Sequence, residues 1–449
     1  MGTSDRYTVS RALYRRAQDL IPGGIHLSGR PLLDQNSSPL YFERGRGSRI
    51  WDADGNEYID FVMAYGPYLL GYAHPEVDRA AAEQGARGSL LSLNHPLHLS
   101  FIETLLRHFP AAEMGIFFKT GSEATTAAVR IARRATGRRA IARCGYHGWH
   151  DWCLPTEDFV PDGLTTQVFV YDAMRPETLA TLLDERRGQF AAVILAPEMI
   201  HPPSRETMVA VIEAAHRHGA LFIMDEVKTG LRAPRGSMQA FYGVEPDMTT
   251  LSKALGNGWP VAAVIGPRAV MAHAAGMHLS ATYHGDTSAM AAALATLEIV
   301  ERNGVQETVW ALGQQLIQGL NEAARRNQIP AEAYGEPIPP MPFLRFTHPD
   351  PARNEQLKSL VYAKVIAEGI LLHPRHMWFI SAAHDAAEIG RAVEVVDAAM
   401  CTVAARNPDL LERDGFRPKS ESLNRALKTR TLEHHDFDLN SSCSSGLSE

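Results

Sequence analysis

Leu221-Phe222-Ile223-Met224-Asp225-Glu226-Val227-Lys228-Thr229-Gly230 is the stretch whose reading decides the fold. Four apolar residues run straight into two carboxylates, so a short buried strand ends with the first acid at its tip. Burying a carboxylate without a partner is costly. Asp225 therefore either caps a strand–helix junction or faces a positive group, and on this stretch alone the two readings stand level.

Working outward, short apolar strands are predicted at 116–118, 140–143, 168–171, 191–195, 221–224 and 262–265. Helical periodicity falls between them at 123–135, 176–186 and 206–218. Strands rich in Ile, Val and Phe that alternate with amphipathic helices argue for an α/β fold with a mostly parallel central sheet covered by helices. Ligands bind beyond the carboxyl ends of such strands. Upstream, a helix at 7–20 stops at Pro22-Gly23-Gly24, and short strands follow at 40–42, 49–51 and 58–61, with a turn at Asp52–Asn56. Downstream come helices at 288–302 and 307–327, a Pro-rich stretch at 330–342 and an α+β segment at 343–405. The expected division is an N-terminal segment, 1–70, contributing to a small domain; a large domain, 71–305; a C-terminal small α+β domain, 306–405; and a flexible polar tail, 406–449.

Composition narrows the function. The chain has 449 residues, 45% hydrophobic and 21% charged, with a net charge of -7. That balance suits a globular enzyme and supplies no basic field for nucleic acid. The arginines Arg130, Arg133, Arg134, Arg138 and Arg139 read as a solvated face or a subunit contact. Four scattered cysteines, Cys144, Cys153, Cys401 and Cys443, suggest a reducing compartment. The first residues carry no apolar core of a secretory signal, and no apolar run reaches the ~20 residues of a membrane span. The expected localisation is cytoplasmic, without nucleic-acid or membrane partners.

Three further constellations carry chemistry. Thr249-Thr250-Leu251-Ser252-Lys253-Ala254-Leu255-Gly256-Asn257-Gly258-Trp259-Pro260 sets a lysine between a β-like approach and a Gly-punctuated turn. Lys119-Thr120-Gly121-Ser122-Glu123 follows a strand and opens a helix, so its backbone N–H groups, a hydroxyl and the helix dipole could hold a phosphate. Alone, Ser122 reads more simply as a helix N-cap. Gly145-Tyr146-His147-Gly148-Trp149-His150 follows another strand, and its aromatic ring could lie against a planar group. A metal site from Cys144, His147 and His150 lacks a complete ligand set. A lysine able to condense with an aldehyde, and a buried acid able to keep a pyridine nitrogen protonated, together fit pyridoxal phosphate. Lys253 must be neutral for part of such a cycle, so a desolvated site and a depressed pKa are expected.

In this order the motifs resemble the class III, fold-type I, pyridoxal phosphate-dependent aminotransferases, over roughly residues 8–400. Ile21-Pro22-Gly23-Gly24, Trp51-Asp52-Ala53-Asp54-Gly55, Tyr58-Ile59-Asp60, Gly66-Pro67 and Leu70-Gly71 are similar to the glutamate-1-semialdehyde aminomutase-like subgroup. The resemblance implies that Gly121 and Ser122 hold the phosphate, Tyr146 and His147 line the ring, and Val227 packs behind it. It also implies that Asp225 pairs with the pyridine nitrogen and Lys253 forms the Schiff base. Thr282, in Ala281-Thr282-Tyr283, would reach the phosphate of the neighbouring subunit, which implies a homodimer. Arg30 would bind the substrate carboxylate, with Arg375 a second candidate and Tyr65 and Trp149 in the pocket wall; His284 and Trp378 are also placed there.

Two departures matter. Ala196-Pro197 stands where many relatives carry Glu-Pro, and His376 stands at or near the place of an aminomutase glutamate. Both favour an aminotransferase that moves an amino group between an amine or amino acid and a keto acid, aldehyde or ketone. Ala64-Tyr65-Gly66-Pro67 and Ser381-Ala382-Ala383-His384 are similar to a branch acting on fumonisin-type amines. The alternatives are an aminomutase and, from another class, an inactive binding protein on the same fold.

Overall fold

The computed structural model describes residues 6–25, 39–153, 167–197, 203–335 and 337–411. A helix, Thr8–Gln18, leads into three antiparallel strands, β1 (Phe42–Arg46), β2 (Arg49–Asp52) and β3 (Glu57–Asp60). The expected turn between β2 and β3 is organised by Asp52, whose Oδ1 accepts the N–H groups of Asp54 and Asn56.

The main sheet follows: β4 (Met114–Phe118), β5 (Ala140–Cys144), β6 (Val168–Val170), β7 (Phe190–Leu195), β8 (Leu221–Asp225), β9 (Met248–Leu251) and β10 (Ala262–Gly266). Its order is β4-β10-β9-β8-β7-β5-β6. The block from β9 to β6 is parallel, whereas β10 runs antiparallel to both β4 and β9. All six expected strands are present within a residue or two. The additional strand β9 approaches Lys253.

The strand residues divide between two apolar layers, which explains why the sequence runs lack polar positions. Ala142, Val193, Phe222 and Met224 pack on one face with the helices Pro176–Glu185 and Arg205–Arg217. Ile141, Ile194, Ile223 and Val264 pack on the other with the helix Gly121–Thr136. All eight strand side chains are fully buried.

Beyond the sheet, helices Thr287–Arg302 and Val305–Arg326 precede the pair β11 (Ala331–Tyr334) and β12 (Phe343–Phe346). A short strand, β13 (Ile370–Leu371), returns to lie parallel to β3, completing a four-stranded sheet from both ends of the chain. Helices Pro351–Ala367 and Ala386–Arg406 flank it in sequence. No helix among the described residues is long and apolar enough to cross a membrane. The expected tail, but for residues 406–411, lies outside the described residues.

Candidate active site

β8 and β9 lie side by side, and their register sets Asp225 opposite Thr250. Asp225 and the Lys253 turn therefore leave the sheet at the same carboxyl edge, where open α/β sheets bind ligands. Asp225 is 3% exposed and accepts three hydrogen bonds. Its Oδ1 accepts Thr250 Oγ1 at 3.0 Å and the Val227 N–H at 3.1 Å, and its Oδ2 accepts His147 Nδ1–H at 2.8 Å. One oxygen thus restrains the turn at 227–232 that follows the strand, where no helix opens, and the other meets a buried imidazole. His147 Nε2 is buried with no hydrogen-bond partner among the described residues.

Lys253 opens a short 3-10 turn, Lys253–Gly256, with φ 45°, in the left-handed region. That conformation costs a non-glycine residue ~1–2 kcal/mol. Asn257 closes the turn and fastens it: its Oδ1 accepts the Leu70 N–H at 2.8 Å and its Nδ2 donates to Gly71 O at 3.0 Å. Lys253 Nζ donates to Tyr65 O at 2.9 Å and lies 5.8 Å from the centre of the buried Phe379 ring.

The helix Gly121–Thr136 begins after β4 with a reciprocal cap. Thr120 Oγ1 accepts the Glu123 N–H, and the Glu123 carboxylate accepts the Thr120 N–H. Thr120 is thus the N-cap, and Ser122 is released from that role. The Gly121 and Ser122 N–H groups, at the positive end of the helix, make no hydrogen bond among the described residues. A Cβ on Gly121 would come within 2.6 Å of Val227 Cγ1, and one on Gly148 within 2.2 Å of Ser122 Oγ. Thr125 Oγ1 donates to His147 O at 2.7 Å, tying the helix to the Tyr146–His147 loop. Tyr146 is half exposed, with Lys228 Nζ 5.3 Å from its ring centre.

Gly121, Ser122, Tyr146, His147, Asp225, Val227 and Lys253 thus gather along the carboxyl ends of β4, β5, β8 and β9. A bare helix N-terminus, a buried acid with an orphaned imidazole nitrogen beside it and an inward lysine suit a phosphorylated pyridine aldehyde. The residues fit pyridoxal phosphate.

Other expected residues fall around this edge. Tyr65 packs edge-on to His373 and His376, with ring centres 5.7 and 5.1 Å away. His376 Nδ1 donates to Met377 O at 2.6 Å. Burial, then the nearby Lys228 ammonium, pull its pKa down to about 3 despite that bond, and Lys253 adds to the effect. His373 is lowered to about 4, by burial and then Arg375. Arg375 is paired with Glu355 at 2.7 Å. Trp149 is 67% exposed and edge-on to His150. Trp378 is fully buried and donates its Nε1–H to His373 O at 2.9 Å, which places it behind the histidine cluster.

Thr282 sits on an exposed segment. That segment is held to the Gly121 helix start by His284–Glu123, at 3.0 Å, and Lys119–Asp286, at 2.8 Å. Arg30 lies outside the described residues.

Sequence reasoning missed Thr250, Phe379 and Arg232 as parts of the site. Thr250 could have been found by continuing the strand pattern backward from Lys253. Nothing local in the sequence marks Phe379 or Arg232.

The geometry agrees with what the chain is similar to. The model of the aminotransferase class-III family matches residues 33–336. The 3-aminobutyryl-CoA aminotransferase of Cloacimonas acidaminovorans (strain Evry) is 32% identical over 404 residues, spanning 88% of this chain and 97% of the relative. A glutamate-1-semialdehyde 2,1-aminomutase of Chloroflexus aggregans is 34% identical over 441 residues, spanning 88% of this chain and 98% of that protein. Among solved structures, the Sphingopyxis sp. MTA144 FumI protein, in its pyridoxal phosphate internal aldimine form, matches with a TM-score of 0.85. It is 29% identical and covers 90% of this chain and 98% of its own. With catalytic fold, family and cofactor in agreement, the chain belongs to the class-III aminotransferases, fold-type I enzymes that use pyridoxal phosphate.

Proposed function

We propose that Lys253 is the Schiff-base lysine and Asp225 the partner of the pyridine nitrogen, in an enzyme that passes an amino group from an amine or amino acid to a keto acid, aldehyde or ketone. The supporting observation is the juxtaposition at one sheet edge of a buried acid and an inward-pointing lysine, set by the Asp225–Thr250 register. Bound cofactor supplies the electron sink for breaking a C–H bond next to nitrogen. The protein does the rest. Asp225, fixed by Thr250, Val227 and His147, presents negative charge to the ring nitrogen. The Gly121 and Ser122 N–H groups and the helix dipole take the phosphate. Lys253 Nζ, when it is free and neutral, would be the base that carries the proton.

Transfer between two substrates is favoured over an internal amino shift by His376. His376, a neutral imidazole held so by burial and its cationic neighbours, is read by resemblance as standing at or near the place of the aminomutase glutamate. Tyr65, His373 and His376 form the pocket wall, with Arg30, Trp149 and Arg375 as the remaining substrate contacts. We place the enzyme in the cytoplasm as a homodimer in which Thr282 serves the neighbouring site. The division into a large cofactor domain, 71–305, and a small domain built from 1–70 and 306–405 is part of the same reading.

A half-reaction screen tests the assignment. The purified enzyme should absorb in the near-visible, and an amino donor added without acceptor should bleach that band as pyridoxamine phosphate forms. Lys253→Ala should lose the lysine-linked band. An unchanged spectrum in that variant would overturn the lysine assignment. Turnover of a single amino-aldehyde with no separate acceptor would establish the aminomutase instead.

A further inference from the structure

Arg232 is fully buried, and no carboxylate pairs with it among the described residues. Burial alone pulls its pKa down to about 9, so it remains charged at neutral pH. An unpaired buried cation is an expensive way to fill space, and an apolar side chain would pack there at lower cost. Its contacts indicate another role. One terminal nitrogen donates to Lys228 O at 3.2 Å and the other to Gly66 O, while Nε has no partner among the described residues. The guanidinium lies 5.1 Å from the centre of the Phe379 ring, the same ring that lies 5.8 Å from Lys253 Nζ.

Gly66 ends a turn of unusual strain. Met63, Ala64 and Tyr65 have φ of 46°, 51° and 65°, three consecutive non-glycine residues in the left-handed region, and Gly66 follows at 111°. Such a run persists only where its surroundings over-determine it. On one side Asp60 Oδ1 accepts the Val62 N–H at 2.7 Å. On the other Arg232 grips Gly66 O. Between the two anchors, the Tyr65 carbonyl accepts Lys253 Nζ.

We propose that Arg232 is a positioning residue for Lys253: by holding the Gly66 carbonyl it fixes the left-handed Met63–Gly66 turn, whose Tyr65 carbonyl orients the lysine nitrogen. A rigid fork that reaches the Gly66 and Lys228 carbonyls at once suits arginine better than any neutral donor. This inference rests on Lys253 carrying the cofactor. It assigns no contact with substrate to Arg232.

The test uses the holoenzyme and three variants, Arg232→Met, Arg232→Lys and Gly66→Ala. The readouts are the visible circular dichroism of the lysine-linked chromophore, the split between kcat and KM, and a thermal melt. Arg232→Met should lose most of the visible dichroism per bound chromophore and lose kcat by about ten- to a hundredfold with KM little changed, the pattern of a misaimed reacting group. Arg232→Lys, which keeps one cationic donor but loses the fork, should recover part of both. Gly66→Ala leaves the guanidinium in place but sets a Cβ 2.8 Å from Phe379 Cε1, so it should reproduce the loss even if Arg232→Met does not fold. Wild-type dichroism and kcat in Arg232→Met or in Gly66→Ala would overturn the proposal, as would equal damage in Arg232→Lys and Arg232→Met. A wild-type enzyme with no lysine-linked chromophore would instead overturn the underlying assignment of Lys253.

Discussion

Gly121→Ala probes the cofactor cradle with a single methyl. In the folded protein that carbon would lie 2.6 Å from Val227 Cγ1 and 3.0 Å from Cγ2. Favourable carbon contacts begin at ~3.5 Å, so Val227 must move by close to an ångström. It cannot move alone, because its N–H is bound to Asp225 Oδ1 at 3.1 Å. Overpacking of this kind costs ~1–3 kcal/mol. Alanine is otherwise a better helix former than glycine, so any loss reports the collision rather than the backbone. If the strain falls on the cofactor-bound state, affinity for pyridoxal phosphate should drop by about 5- to 150-fold. Val227→Ala removes both colliding carbons, so the double variant should bind nearly as well as Val227→Ala alone, with a coupling energy of ~1–3 kcal/mol, close to the whole cost of Gly121→Ala. The assay is titration of cofactor-free protein with pyridoxal phosphate, followed by absorbance, with a thermal melt to exclude global unfolding. Undiminished affinity in Gly121→Ala, or strictly additive effects in the double variant, would refute the cradle.

Two further outcomes follow from the site. Asp225→Asn keeps the shape of a group bound by Thr250 and His147 but removes its charge, so kcat should fall by about 10²–10³-fold while the cofactor remains bound; near wild-type turnover would show that ring protonation is supplied elsewhere. His376, held at about 3 in the folded protein by burial and its cationic neighbours, takes up its proton only in the unfolded chain between pH 3 and 6.5. The unfolded state binds more protons in that window, so this histidine makes stability rise with pH up to 6.5 and contributes no slope above it. Asp60 and Glu226, raised by burial to about 6 and about 7, act with the opposite sign, so the readout is the difference between wild type and His376→Gln. That difference should change by ~1.4 kcal/mol per pH unit between pH 4 and 6 in denaturant melts, and a constant difference would mean that His376 titrates normally.

The parts of the site visible in the sequence were those whose chemistry and local pattern coincide. Asp225 follows four apolar residues, and Lys253 sits among turn-forming glycines, so both stood out before any fold was known. β9 shows in the sequence only as a β-like approach to Lys253, because Met248-Thr249-Thr250-Leu251 is short and half polar; its threonines are buried because they bond to Gln239 and Asp225. The reversal of β10 was equally hidden, since Ala262–Gly266 reads the same in either direction of pairing. Ser122 reads as a cap from local pattern alone, but Thr120, two residues earlier, closes the capping box with Glu123. Arg375 illustrates a long-range term: Glu355, on the helix Pro351–Ala367, occupies it, and no local pattern announces that pair. The left-handed turn at Met63–Gly66 is the clearest case, because residues of ordinary type adopt it only under restraint from Arg232 and Asp60.

The pairing of β13 with β3 has a consequence for biosynthesis. Phe379, the ring beneath Lys253, is anchored by its N–H to Phe61 O at 2.8 Å and arrives just after β13. A ribosome releasing this chain from its N-terminal end exposes the β1–β3 hairpins, the whole seven-stranded sheet and the lysine itself before that ring emerges. The finished surroundings of Lys253 must therefore wait until the ribosome has passed Phe379, and any shorter nascent chain presents the lysine without the ring that lies 5.8 Å from its nitrogen.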